Sequence, residues 1–128
     1  MTPDELVERI KVRASAERVA REVVAERLRQ DGKWGEQNHR DGTGESVNWV
    51  LYLPPGGDAR SAGQQISENA RDLCQENFFA DFGTWLDVLR EEVAEAFAES
   101  DPARLRAELI QVAAVAVAWA EAIDRRQS

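Results

Sequence analysis

Five side chains in the C-terminal part of the chain have oxygen atoms that can bind a metal ion, and their spacing suits a metal site. They stand in two groups on either side of a short turn, and they are Glu91, Glu92, Glu95, Glu108 and Gln111. The turn contains Asp101-Pro102, which predicts the end of one helix and the start of the next, because proline is tolerated only in a first helical turn. If the chain folds back there as an antiparallel hairpin, residues whose numbers sum to about 203 face each other. Glu92 then faces Gln111, and Glu95 faces Glu108.

Such a hairpin would bring three carboxylates and one amide together between two helices. Like charges at close range repel and burial adds to the cost, so the cluster persists only if it is protonated, solvated or neutralised by a cation. Oxygen ligands of this kind suit Mg²⁺, or Mn²⁺ in its place, and Mg²⁺ usually serves phosphate chemistry. The alternative is a solvated helix face, which is what runs of charge usually form. Val93, Ala96 and Phe97 stand between the acids and favour partial burial.

The composition indicates one globular domain over residues 1–128, with 43% hydrophobic and 31% charged residues. The formal net charge of −8 argues against a nucleic-acid partner, whose phosphates require a basic surface. A nucleotide bound through a metal ion is not excluded. A single cysteine, Cys74, cannot form an internal disulfide, so we expect a reducing cytoplasm and a buried structural thiol. The longest apolar stretch, 112–120, is too short to cross a bilayer, and we expect no membrane partner.

Hydrophobic periodicity predicts an all-α fold with four main helices in a bundle. The expected ranges are about 3–29, 61–79, 84–100 and 102–125. Thr2-Pro3-Asp4-Glu5 has the residues of a capping box, and Thr84 is expected to cap the third helix. Six glycines and two prolines predict a long Gly-rich loop over about 31–59, in which 47–53 could be a short extended piece. The fourth helix is apolar on all sides over 112–118, which predicts a central position or a subunit interface.

Several segments form a recognisable pattern when they are taken together. The acidic part of the pattern is Glu-Glu-x-x-Glu from Glu91, twelve intervening residues, and then Glu-Leu-Ile-Gln from Glu108. The remaining parts are Arg-Gln-Asp-Gly-Lys-Trp-Gly-Glu-Gln-Asn-His over 29–39 and the tryptophan-containing stretches 84–92 and 108–119. Together these segments resemble the MazG-like family of all-α nucleoside triphosphate pyrophosphohydrolases, and in particular a branch common in phages and actinobacteria. The resemblance covers the chain from about residue 19 to residue 124.

This resemblance implies a homodimer or homotetramer that binds Mg²⁺ and cleaves a nucleoside triphosphate to the monophosphate and pyrophosphate. It implies metal binding by Glu92, Glu95 and Glu108. Glu91 would assist catalysis with Glu92 and Glu95, by orienting the attacking water. The family has aspartate where this chain has Gln111, and an amide oxygen can bind a hard cation but brings no charge, so we expect weaker metal binding. Two alternatives therefore stay open, a catalytically weak or inactive nucleotide-binding or sensing protein, and a helical assembly protein without a ligand.

The segment after the first predicted helix has the side chains that a nucleobase pocket needs, because a base is held by a flat apolar surface and by amides at its edge. In the family that the chain resembles, this region helps to form the base pocket. We therefore predict Trp34, Gln37 and Asn38 at the base, and Lys33 at the phosphates. The alternative is that Trp34 packs against the end of the first helix, and His39 is expected to be a loop residue. The other tryptophans are expected in the core: Trp49, Trp85 and Trp119.

Overall fold

The computed structural model describes residues 1–44 and 59–127. Over these residues the chain forms four helices and no strand: α1 (Pro3–Trp34), α2 (Ala59–Phe79), α3 (Trp85–Ala98) and α4 (Pro102–Gln127). The predicted all-α class is confirmed. Most of the predicted Gly-rich loop, its extended piece at 47–53 and Trp49 lie outside the described residues. Of the helices described, none combines the length and the apolar character that a bilayer crossing requires.

The first helix begins as predicted and ends later than predicted. The Thr2 hydroxyl accepts a hydrogen bond from the Glu5 N–H, and the Glu5 carboxylate accepts one from the Thr2 N–H, which completes the capping box. The expected end near residue 29 is wrong, because α1 continues through Gly32 to Trp34. One glycine costs only about 1 kcal/mol inside a helix. The chain leaves the helix at Gly35, whose φ of 70° is a conformation that glycine adopts easily.

The four helices pack in the spatial order α2, α3, α4, α1, with α3 and α4 as an antiparallel hairpin. Among the residues that the structure describes, Trp85 at the start of α3 is the largest fully buried side chain, and it packs against Val115, Ala118 and Ala122 of α4. The small side chains of α4 allow this large ring to approach closely. Helix α4 contacts both α1 and α3. Within its apolar middle Ala116 and Val117 are exposed, so both predicted explanations, a central position and a subunit interface, stay open.

The segment that follows α1 is hydrogen-bonded to the start of α3 and to α4. The backbone N–H of Trp85 donates to the carbonyl of Arg40 at 2.8 Å, and the indole N–H of Trp119 donates to the carboxylate of Asp41 at 2.8 Å. At the start of α3, Thr84 and Asp87 form a second capping box, with the Asp87 carboxylate buried. These contacts bring the residues after Trp34 next to the α3–α4 hairpin.

Candidate functional site

The α3–α4 hairpin brings three acidic side chains together. One carboxylate oxygen from each of Glu92, Glu95 and Glu108 lies within 4.8 Å of the other two. All three side chains are partly exposed. The short turn at Asp101-Pro102 permits few registers for the hairpin, and the observed register brings Glu95 close to Glu108. The predicted convergence of these three carboxylates is therefore confirmed.

The electrostatics of the cluster favour a bound cation or a bound proton. Burial raises the pKa of Glu92 to about 7, and the negative charges of Glu95, Glu108, Glu91 and Glu26 add to this rise. Burial also raises the pKa of Glu95, and the charges of Glu108 and Glu91 raise it further. Oxygens that share one octahedral Mg²⁺ are roughly 3 to 4 Å apart, so small side-chain rotations would suffice to close a common coordination shell. The donor set fits a hard divalent cation.

Gln111 makes contacts with α1 that the sequence did not predict. Its amide nitrogen donates to the carboxylate of Glu26 at 2.6 Å, and its amide oxygen accepts a hydrogen bond from Gln30 at 3.3 Å. Glu26 is 7% exposed and also accepts a hydrogen bond from Arg29 at 2.7 Å. The Gln111 oxygen is thus engaged with α1, and its role as a fourth metal ligand stays a prediction. Sequence reasoning missed Glu26, because one glutamate in a helix rich in charges carries no distinguishing signal.

A cavity of about 740 Å³ opens beside the acidic cluster, between the C-terminal end of α1 and the other three helices. Three of the four predicted substrate-binding residues, Lys33, Trp34 and Gln37, line this cavity. Glu91 and Glu92 line it as well, so Glu92 belongs both to the acidic cluster and to the cavity wall. The volume lies in the range of pockets that enclose a small organic ligand such as a nucleoside.

The aromatic end of the cavity contains His39, which lies in a loop as predicted and whose place in the cavity wall the sequence did not indicate. The His39 ring meets Phe78 of α2 and Trp85 of α3 edge-on, with ring centroids 4.9 Å and 4.8 Å apart. Burial lowers the pKa of His39, so the imidazole is neutral at physiological pH and offers one donor and one acceptor. His39 lies in the cavity wall. Its aromatic neighbours come from distant parts of the sequence, so no local pattern could have indicated this position.

Trp34 lines the cavity with an exposed ring, whereas Asn38 does not line the cavity. The Trp34 side chain is 60% exposed, and the Lys33 ammonium lies 4.7 Å from its ring centroid. Trp34 is therefore not buried against the end of α1, and its ring surface is accessible. Asn38 accepts hydrogen bonds from Arg125 and donates one to Glu36. Within the described residues Asn38 is not part of the cavity wall, so its predicted contact with a base is not supported by its position.

Glu91 is not one of the three clustered carboxylates, although its charge acts on two of them, and it interacts with Cys74. Burial raises the pKa of the Cys74 thiol to about 12, and the hydrogen bond and charge of Glu91 contribute to this rise. The raised pKa disfavours the thiolate, which is the nucleophilic form, and the predicted burial of Cys74 is confirmed. Both side chains line the cavity next to Glu92.

The arrangement joins two chemical capabilities through Glu92. The carboxylates of α3 and α4 can hold a divalent cation, and the adjoining cavity offers an accessible indole, amides and a neutral imidazole to a flat polar ligand. Comparison of the chain with protein-family models, with curated proteins and with solved structures finds no match. The functional assignment therefore depends on the geometry of the site.

Proposed function

We propose that this chain is a nucleoside triphosphate pyrophosphohydrolase that requires Mg²⁺, or Mn²⁺ in its place, and that releases a nucleoside monophosphate and pyrophosphate. The observation that carries the proposal is the grouping of Glu92, Glu95 and Glu108 within 4.8 Å beside a cavity of about 740 Å³. A metal site that shares a wall with a nucleoside-sized cavity suits a substrate with a base at one end and phosphates at the other. The resemblance to MazG-like enzymes supports the same assignment.

Different residues of the chain would contact the base and the phosphates of the substrate. Trp34 offers a ring surface for stacking with the base, Gln37 offers an amide to its edge, and Lys33 offers a positive charge to the phosphates. Glu91, which lines the cavity as Glu92 does, would orient a water molecule and accept its proton. A bound Mg²⁺ would neutralise phosphate charge and lower the pKa of the attacking water.

The proposal includes a homodimer or homotetramer in a reducing cytoplasm, without a nucleic-acid or membrane partner. Exposed apolar side chains on the outer surfaces of α1 and α4 support self-association, since Leu28, Leu109 and Val117 are 67%, 51% and 41% exposed. The cytoplasmic assignment depends on the single cysteine.

A second candidate function is nucleotide binding or sensing with little or no hydrolysis. The contacts of Gln111 favour it, because its amide is hydrogen-bonded to Glu26 and Gln30 and adds no negative charge to the three carboxylates. A site with three acids holds a cation less tightly than a site with four. The sensor hypothesis predicts that a nucleotide raises the melting temperature without any release of pyrophosphate.

The deciding experiment is an assay of pyrophosphate release from a panel of ribo- and deoxyribonucleoside triphosphates, with Mg²⁺ and with EDTA. We expect at least one substrate to be cleaved in the presence of Mg²⁺ and not in the presence of EDTA. Glu95→Gln should reduce the rate of cleavage by about a hundredfold or more. Glu76→Gln is the matched control, because it makes the same change at an exposed acid of α2. Turnover that persists in Glu95→Gln would contradict the assigned role of the cluster. If millimolar nucleotide gives no turnover and no thermal stabilisation, the hypothesis of a helical assembly protein without a ligand remains.

A further inference from the structure

One wall of the cavity contains a chain of hydrogen bonds between α1 and α4. The carboxylate of Glu26 accepts a hydrogen bond from the Gln111 amide nitrogen at 2.6 Å. The Gln111 amide oxygen accepts one from the Gln30 amide nitrogen at 3.3 Å. All three side chains line the cavity. The chain of bonds therefore begins at a carboxylate of α1, passes through α4 and ends at an amide of α1.

The carboxylate of Glu26 determines the direction of each bond in this chain. Glu26 is 7% exposed and forms an ion pair with Arg29, so its oxygens can only accept hydrogen bonds. Gln111 must therefore turn its amide nitrogen toward Glu26, which leaves its amide oxygen for Gln30. Gln30 must in turn use its amide nitrogen on that oxygen. Reversing either amide would bring two acceptors face to face, and such a loss of paired groups is unfavourable in a partly buried site.

The amide oxygen of Gln30 is the group that this chain of bonds leaves available. Among the residues that the structure describes, none donates a hydrogen bond to it. Gln30 is partly exposed and precedes Trp34 by four residues on α1. Side chains at this spacing are neighbours on one face of a helix, and both residues line the cavity. An acceptor of fixed orientation thus lies next to the indole that we propose as the stacking surface for the base.

We propose that Gln30 selects the base of the substrate, and that the chain prefers a base with an exocyclic amino group, as in cytosine and adenine, to one with a carbonyl there, as in uracil and hypoxanthine. An acceptor pairs with an amino N–H and repels the lone pairs of a carbonyl oxygen. The negative charge of Glu26 in the same wall acts in the same direction. Glu26 and Gln111 are positioning residues, because they hold the Gln30 amide in one orientation. The inference rests on the proposed function, since it identifies the substrate class of that hydrolase.

The test measures the binding of nucleotides that cannot be cleaved. Dissociation constants for the α,β-methylene analogues of dCTP, dUTP, dATP and dITP are determined by titration calorimetry with Mg²⁺. The members of each pair, dCTP with dUTP and dATP with dITP, differ in the exocyclic group and the adjoining ring nitrogen. In the pair that binds more tightly, we expect the amino member to bind about tenfold more tightly than the keto member, or better. Equal affinities, tighter binding of the keto member, or no binding of any analogue would overturn the proposal.

Two substitutions distinguish base selection from support of the fold. Gln30→Met keeps the length of the side chain and removes its acceptor, so the ratio of the two affinities should fall to within about twofold of one. Glu26→Gln should also lower this ratio, because a glutamine donates as well as accepts and no longer fixes the orientation of the amides. A purely structural role would weaken both analogues equally, and an unchanged ratio in Gln30→Met would overturn the proposal. Gln75→Met is the matched control, because it makes the same change at an exposed glutamine of α2, and it should keep the wild-type ratio.

Turnover assays separate a failure of this inference from a failure of the proposed function. If both members of each pair release pyrophosphate with equal kcat/KM, the hydrolase function is supported and the selection by Gln30 is wrong. If the analogues bind with the expected ratio and no triphosphate is cleaved, the selection by Gln30 is supported and the hydrolase function is wrong.

Discussion

Replacing Glu92 with glutamine should stabilise the metal-free protein at neutral and alkaline pH. In the folded protein the pKa of Glu92 is raised from 4.5 to about 7, first by burial and then by the charges of Glu95 and Glu108. Above pH 7 the wild-type protein must therefore carry a carboxylate that its surroundings disfavour. Glutamine has nearly the same shape and no charge, so the variant avoids this cost.

The size of the effect follows from the two pKa values. A rise from 4.5 to about 7 corresponds to roughly 3 kcal/mol of lost folding free energy when the carboxylate is fully ionised. Because the side chain is partly exposed, solvent screening reduces this figure, and we expect about 1–2 kcal/mol. For a domain of this size, that is a rise in melting temperature of roughly 4–8 °C.

The stability of the wild-type protein should depend on pH because the pKa of Glu92 differs between the folded and the unfolded chain. The folded protein keeps a proton on Glu92 that the unfolded chain releases between about pH 4.5 and 7, so the stability of the wild-type protein falls as the pH rises through this window and levels off above it. The difference in melting temperature between Glu92→Gln and wild type should therefore grow from pH 4.5 to 7 and then stay constant. The measurement is a series of thermal melts in EDTA, with Glu76→Gln as the control. A difference that is absent, negative or independent of pH would refute the reasoning.

Four further substitutions, of which Asn38→Ala serves as a control, test other parts of the molecule. Trp34→Ala should raise the KM for the nucleotide about tenfold, since stacking on an aromatic ring contributes roughly 1–3 kcal/mol, whereas Asn38→Ala should change KM less than twofold in the same steady-state assay. Gln111→Asp should lower the free energy of unfolding by about 1–3 kcal/mol in urea titrations, because buried Glu26 would lose a donor and face a like charge. It should also tighten Mg²⁺ binding in calorimetric titration if residue 111 contacts the ion, and unchanged affinity would place it outside the coordination shell. Asp87→Ala should destabilise the protein by about 3 kcal/mol or more in urea, because this buried carboxylate caps α3 and pairs with a neighbouring arginine. A loss below 1 kcal/mol would show that the cap is dispensable.

The parts of the fold that depend on neighbouring residues were predictable from the sequence. Asp101-Pro102 defines a short turn, and a short turn between two amphipathic helices permits few registers. The facing of Glu95 and Glu108 followed from that register, whereas Trp85 was expected only in the core, and its packing against α4 is seen in the structure. The cap at Thr2 is equally local, because its partners lie within three residues.

The parts that depend on contacts between distant segments were not predictable. Gly32 lowers helix propensity, but the last turn of α1 lies against the site and the helix continues to Trp34. The buried carboxylate of Glu26 is explained by Gln111, which is 85 residues away. His39 enters the cavity wall because α2 and α3 supply aromatic rings to it. Each of these positions is decided by partners that no local periodicity identifies.

The most direct test of the central claim is the location of a bound metal ion in crystals soaked with Mn²⁺, measured by anomalous scattering. The account predicts one strong peak with carboxylate oxygens of Glu92, Glu95 and Glu108 within about 2.6 Å of the ion. Occupancy should be lost in Glu95→Gln and kept in Glu76→Gln. No peak at this position in the wild-type protein, or a peak bound only by other residues, would contradict the metal site and the hydrolase function built on it.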